Sequence, residues 1–380
     1  MICVSTPLHC SSFSITRGNS DIDVLHITKN IKTGPYKSGE IQWECNNPRI
    51  FEVDENSKYF TTIDGVLFSK DKKTLVAFPR RDEDFEYTIP DGVTRIGEGA
   101  FEGQKHLTSM IIPDSIEKID DYAFIQCTSL KELKLPASLK KIGINIFYGC
   151  PIERLSISES NEYFSVVDNV LFTKNMQRLL YYPGYRQGNE YHIPDGVRVV
   201  EDGAFWDNTI ENSNLKILYL PKSLKNFGYY NCWFRENAME SFIVNPSNRN
   251  YVSIDGVLYT KDLKKLVVYP QKKKNKELII PEGVEEIEEA AFCYVPYLQK
   301  VKFPTTLRNL VGMTFVHCIR FKDYEGLSDE IIKRMCLTKQ MAKTLGLKQI
   351  QISSVFLKCP VANKFYAMRE QIRLDNQNKE

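Results

Sequence analysis

The sequence lacks most of the features from which chemistry is usually read. It has five histidines and three tryptophans in 380 residues, and its ten cysteines include no Cys-x-x-Cys pair, nor do its histidines form a His-Glu-x-x-His motif. Zinc sites are built from such closely spaced ligands, so no metal is expected. No Ser/His/Asp or Cys/His set stands out, so no catalytic residues are assigned and the chain does not read as an enzyme. The glycines of Gly97-Glu98-Gly99-Ala100-Phe101-Glu102-Gly103 have the wrong spacing for a dinucleotide loop, and no cofactor is expected. Nothing approaches the roughly 18 apolar residues of a membrane-spanning helix. The Asn-x-Ser/Thr pattern occurs once, at Asn245-Pro246-Ser247, where the proline rules out glycosylation. A strong charge of one sign is also missing. Lysine plus arginine number 50 against 48 aspartates and glutamates, a net charge of +2 that gives no global attraction to nucleic acid or anionic lipid.

What the chain has in abundance is self-similarity. IPDGVTRIGEGAF at 89–101 returns as IPDSIEKIDDYAF at 112–124, LPASLKKIGINIF at 135–147, IPDGVRVVEDGAF at 193–205 and IPEGVEEIEEAAF at 280–292. Pro90, Pro113 and Pro136 are 23 residues apart, as are Pro281 and Pro304. A period in this range is the mark of a solenoid, in which each unit covers its neighbour. Within a unit, Leu133 and Leu135 alternate with Lys134, so a short strand points both leucines inward. Proline closes each strand, because it cannot donate to the ladder. The later Leu139, Ile142 and Phe147 have irregular spacing, which predicts a turn-rich return path.

A longer repeat is superimposed on the first. TIDGVLFSKDKKTLVAFP (62–79), VVDNVLFTKNMQRLLYYP (166–183) and SIDGVLYTKDLKKLVVYP (253–270) share Asp-Gly or Asp-Asn, an apolar run, a polar turn and a closing aromatic-Pro. Each predicts an inserted β-hairpin. The expected fold is therefore a β-rich solenoid with a parallel sheet on its concave face, a turn-rich convex side and three inserted hairpins.

These residues resemble the BspA-like leucine-rich repeats, whose 23-residue unit carries Ile-Pro-x-x-Val/Leu-x-x-Ile-Gly-x-x-Ala-Phe-x-x-Cys-x-x-Leu; IPDSIEKIDDYAFIQCTSL at 112–130 matches almost throughout. The DGVLF…YP hairpins are similar to those of the same family. NFGYYNCWF at 226–234 departs from the pattern. The resemblance implies a non-catalytic binding or adhesion scaffold of bacterial cell-surface type, taking a protein or glycan partner. An intracellular protein-interaction scaffold of the same fold is the alternative. The opening MICVSTPLHCSSFSITRG lacks a basic n-region and an unbroken apolar core, and so does not read as a signal peptide.

Aligning the coils gives an outward row of Thr88, Ile111, Lys134, Ser156, His192, Tyr219, Ile243, Ile279 and Lys302, beside a second row that includes Glu190 and Ile217. His192, Ile217, Tyr219, Ile243 and Ile279 are the candidate partner-binding residues, since contiguous exposed apolar surface often marks a contact site. Cys127, Cys150 and Cys318 each fall three residues after the repeat phenylalanine, as small buried free thiols would. Lys272–Lys274 with Lys276 read as a solvated loop, an anionic partner being the sharper alternative. The expected organisation is an N-terminal cap or irregular segment over 1–47, the solenoid over 48–322, and a C-terminal helical cap over 323–380. In that cap Ser328 would start one helix, Gly346 would stop it, and 361–374 would form a second.

Overall fold

The computed structural model describes residues 24–32, 48–205, 214–228, 238–310 and 314–328, with Ile331, 359–362 and Ala367. It contains two compact units, Met1–Tyr185 with Gly203–Thr209, and Arg186–Asp202 with Ile210–Glu380. Each is built of stacked coils.

The coil beginning at Glu132 shows how the repeat folds. In the strand Glu132–Leu135 the two leucines are buried while Glu132 and Lys134 face solvent. It pairs in parallel with Arg154–Ile157 one coil on, setting Leu133 beside Leu155 and Lys134 beside Ser156. Pro136 ends the strand, and its carbonyl accepts the Leu139 N–H at 3.4 Å. The Ser138 hydroxyl within that turn donates to the Ile116 carbonyl of the preceding coil at 2.6 Å. Ser115, Ser223 and Thr306 do the same to Val93, Val197 and Val284 at 2.7, 2.7 and 2.9 Å, so a ladder of hydroxyls ties successive proline turns together. The return path is more regular than its irregular spacing predicts. Arg95–Ile96, Lys118–Ile119 and Lys141–Ile142 form a second parallel ladder of two-residue strands.

The core runs along the stack. In the first unit the rings of Phe78, Phe101, Phe124 and Phe147 follow one another at 5.2, 5.4 and 5.8 Å. In the second, Tyr269, Phe292 and Phe315 lie 5.2 and 4.6 Å apart. The cysteine three residues after Phe124, Phe147 and Phe315 has a specific task. Cys127, Cys150 and Cys318 donate to the Phe101, Phe124 and Phe292 carbonyls of the coil before at 3.1, 2.8 and 2.7 Å, and Cys359 donates likewise to Phe315. The Phe101, Phe124 and Phe315 carbonyls also accept the N–H three residues on, at 3.2, 3.2 and 3.4 Å, so the thiol is a second donor to a buried carbonyl. All of these thiols are free and buried. The turns on either side of each phenylalanine need left-handed backbone. Gly99 and Gly103 supply it around Phe101 (φ 59° and 69°), but Tyr122 and Gln126 must adopt it around Phe124 (58° and 59°).

The inserted segments hold three strands, not two. Phe60–Ile63, Val66–Ser69 and Thr74–Ala77 form an antiparallel meander. Phe164–Val167 with Val170–Thr173 and Arg178–Tyr181, and Tyr251–Ile254 with Val257–Thr260 and Lys265–Val268, repeat it. The Asp-Gly of the motif is itself a hairpin turn, with positive φ at Asp64 (49°) and Gly65 (79°), so a strand precedes it. Buried Asn161 anchors one meander: its amide donates to the Pro136, Ala137 and Leu139 carbonyls, and its Oδ1 accepts the Tyr163 and Phe164 N–H groups. Asn248 repeats this against Pro221 and Leu224.

At the N-terminal end, Val24–Ile27 and Ile50–Val53 form a separate two-stranded parallel sheet, while the Ile41-x-Trp43 fragment lies outside the described residues. The expected C-terminal helical segment is not supported. Its two helices fall almost wholly outside the described residues, of which Ile331, Ala362 and Ala367 have helical backbone. Ile331, Cys359 and Val361 do pack into the core of the second unit. No helix of the described residues is long and apolar enough to cross a membrane.

Two stability outcomes follow from this packing. Gln126→Gly relieves left-handed strain at an exposed position and should raise stability by about 1 kcal/mol, read as a shift in the urea midpoint. Asn161→Ala strips three carbonyls and two N–H groups of their partner, and should lower stability by at least about 2 kcal/mol in the same titration.

Candidate functional site

The second unit presents the candidate face on three parallel strands, Glu190–His192, Ile217–Leu220 and Ser241–Val244. Their inward residues Tyr191, Leu218 and Phe242 are buried, which turns the alternate residues outward. The register aligns His192, Tyr219 and Ile243 in one row and Glu190, Ile217 and Ser241 in the next, as the sequence alignment predicts. Coil-to-coil spacing brings the aromatic pair into contact: the His192 and Tyr219 rings stack with centroids 3.8 Å apart and planes 7° from parallel. The Tyr219 hydroxyl donates to Glu190 Oε2 at 3.3 Å. Desolvation, followed by the Glu190 charge, raises the Tyr219 pKa, so the phenol stays a donor and the ring is tethered across two strands. Ile243 is 41% exposed and Ile217 half-buried. A stacked imidazole and phenol beside an aliphatic surface can contact an apolar side chain or the flat face of a sugar, with Glu190 as a polar acceptor at the margin.

Ile279 does not join this group. At 71% exposure it is more open than Ile243, but it sits in a separate sheet of Glu277–Ile279, Lys300–Lys302 and Asp323–Glu325, with Lys302 beside it. The cause is the third meander. The Gly256 carbonyl accepts the Phe242 N–H at 2.9 Å, and Ser253 Oγ donates to the Phe242 carbonyl at 2.6 Å. The meander thus takes the strand edge on which the next coil would have paired. In the first unit Asn169 holds the edge of Arg154–Ile157 in the same way, through the Leu155 N–H and the Glu153 carbonyl. The Asp-Gly and Asp-Asn dipeptides were the available signal for these interruptions. The Tyr219–Glu190 tether was also missed, although both residues stand in the aligned rows.

Other features of the described residues are structural. Cys293 is buried and its thiol is pushed up to about 12 by desolvation, which keeps it protonated and unreactive. No three His, Cys, Asp or Glu residues among those described are grouped to hold a metal ion. A cleft of about 560 Å³ on the return-path side of the first unit is lined by Arg95, Glu98, Lys118, Asp120, Lys140 and Phe164, among others. Arg95 and Lys118 both pair with the buried Asp120 there, at 2.5 and 2.7 Å. Lys273 of the lysine run pairs with Asp255 at 3.2 Å.

Parallel ladders of Leu-x-Leu strands, proline turns and an aromatic spine define a leucine-rich-repeat solenoid. The chain belongs to the BspA-type leucine-rich-repeat family, whose model matches six copies over residues 77–176 and 267–359, just over half of the sequence. Among solved structures, a leucine-rich cell surface protein from Faecalibacterium prausnitzii shares the fold. It is 19% identical, with a TM-score of 0.51 over 81% of this chain and 80% of that one. The pneumococcal vaccine antigen PcpA is 23% identical over 70% of this chain, with a TM-score of 0.38, and the match spans 58% of PcpA. A leucine-rich-repeat protein from Eubacterium ventriosum is 19% identical, covering 71% of this chain and 70% of that one, with a TM-score of 0.35. No curated protein gives a significant match.

The alternation of the candidate face makes a direct test. Ile243→Ser should change stability by no more than about 0.5 kcal/mol, whereas Phe242→Ser, one residue away and facing the core, should cost at least about 3 kcal/mol, both measured by denaturant unfolding.

Proposed function

We propose that this repeat scaffold is a non-catalytic binding protein that engages a protein or glycan partner through the outer face of the Glu190–Val244 strands. The observation that carries the reading is the stacked His192–Tyr219 pair, held on a hydrogen-bonded sheet and continued by Ile243. Such a surface is already ordered before it meets a partner, so little conformational entropy is lost on binding. Tyr is also among the side chains that contribute most at contact sites. Ile217 widens the patch, and Ile279 offers a separate apolar contact. The solenoid is taken to extend over 48–322, with 1–47 and 323–380 as its ends.

Display on a bacterial cell surface is the first reading of location, supported by the family and by the cell-surface description of the Faecalibacterium neighbour. An intracellular interaction scaffold is the second, favoured by the free thiols of Cys127, Cys150, Cys293, Cys318 and Cys359. Labelling intact cells with a membrane-impermeant amine reagent separates the two.

The binding reading is tested with the full chain on a printed glycan array and on a panel of immobilised extracellular-matrix proteins. A Tyr219→Ser/Ile243→Ser double variant should lose at least tenfold in affinity for whichever probe the parent chain binds, with unchanged unfolding behaviour. Undiminished binding by the double variant would remove this face from consideration.

A further inference from the structure

We propose that the last coils of the second unit carry a second, independent site: a cationic rim of Lys274, Lys276, Arg320 and Lys322 that binds a linear acidic polysaccharide. The rim lies just before the strands Glu277–Ile279, Lys300–Lys302 and Asp323–Glu325, at positions repeated with the 23-residue period. Lys274, Tyr297 and Arg320 form one column, and Lys276, Gln299 and Lys322 the next. The backbone holds the second column in register. The Lys276 carbonyl accepts the N–H groups of Gln299 and Lys300 at 2.7 and 3.1 Å, and the Gln299 carbonyl accepts those of Lys322 and Asp323 at 3.0 and 3.2 Å. In the first column the Arg320 guanidinium lies 5.9 Å from the centre of the Tyr297 ring.

All four cationic side chains are exposed, and none makes an ion pair with another described residue. This sets the rim apart from equivalent positions elsewhere. Lys131 is matched by Glu153 at 3.3 Å, Lys216 by Glu240 at 3.4 Å, and His106 by Asp84 at 3.1 Å. Within the adjoining sheet Lys300 is likewise taken by Glu325. At these equivalent positions the cation is matched, and at this rim it is not, although the whole chain is nearly neutral.

The geometry favours a sugar polymer over the other polyanions. Coils are spaced about 4.8 Å apart, so each column sets two cations roughly 10 Å apart across one uncharged residue, Tyr297 or Gln299. A chain with one acidic group per disaccharide has a repeat of that order. Gln299, between Lys276 and Lys322, offers both a donor and an acceptor to hydroxyl groups. Single-stranded nucleic acid is bound on open aromatic rings, whereas Tyr297 of this rim is half-buried, with the Arg320 guanidinium on one side 5.9 Å from its centre. Each exposed cation alone contributes little and is screened by salt, so binding here depends on several contacts along one polymer.

The test measures binding of the full chain to fluorescent oligosaccharides that carry one acidic group per disaccharide, a sulfate in one kind and a carboxylate in the other, in low and physiological salt. Binding of either supports the rim, and the difference between them assigns the acid as sulfate or carboxylate. Lys274→Gln/Lys276→Gln/Arg320→Gln/Lys322→Gln should weaken binding at least tenfold. Lys58→Gln/Lys105→Gln/Lys134→Gln/Lys174→Gln removes the same charge from the first unit and should change binding less than twofold. The milder pair Lys276→Gln/Lys322→Gln should still lose at least threefold, which guards against misfolding of the quadruple variant. Equal losses in the rim and control variants, no binding of either oligosaccharide at low salt, or equal competition by single-stranded DNA would each overturn the proposal. None of these outcomes depends on His192 or Tyr219.

Discussion

The structure depends on one constraint: a coil of 23 residues cannot enclose its own core. One phenylalanine per coil would be left with an open face, and its buried carbonyl would accept only the N–H three residues on, as from Cys127 to Phe124 at 3.2 Å, with its second lone pair unmatched. Stacking removes both problems together. Phe124 is covered by Phe101 on one side and Phe147 on the other, at 5.4 and 5.8 Å, and its carbonyl is taken by the Cys150 thiol. The cysteine of the repeat is therefore a short-range donor within the spine, which explains why a small, weakly polar residue recurs there and why these thiols stay free. Hydroxyls at the proline turns perform the matching task on the opposite rim.

The inserted meanders modify this regular stack in two ways at once. Their third strands join the return-path ladder, as where Thr74–Ala77 pairs with Arg95–Ile96 and Lys265–Val268 with Glu286–Ile287. Their tips, at Asn169 and Gly256, occupy the edge of a long-strand sheet and end it. An insertion that continues one ladder and interrupts the other divides the outward rows into short separate faces. The patch around His192 and Tyr219 is consequently three strands wide, and its limits are set by backbone hydrogen bonding as much as by side-chain character.

Much of this was legible in the primary structure. The prolines set the period, the Leu-x-Leu step identified the strands and their inward faces, and the aligned rows predicted the observed register of Glu190, Ile217 and Ser241 and of His192, Tyr219 and Ile243. The first strand of each meander is not legible in the sequence, because Phe60–Ile63 and its counterparts have weak alternation and the Asp-Gly that looks like a flank is itself the turn. Ile279 was grouped with Ile243 because equal repeat position was taken to mean equal neighbourhood. That inference holds only while successive strands pair.

Sequence alone determined the unit, its inward and outward residues, and the membership of the leucine-rich-repeat class, because period and hydrophobic alternation are local properties that every copy writes again. Tertiary structure decided which outward residues meet. The stacking of His192 on Tyr219, the separation of Ile279 and the exposed cations around Gln299 arise from what the neighbouring coil or meander places alongside. That information lies in pairings between residues distant in the chain, which no single repeat contains.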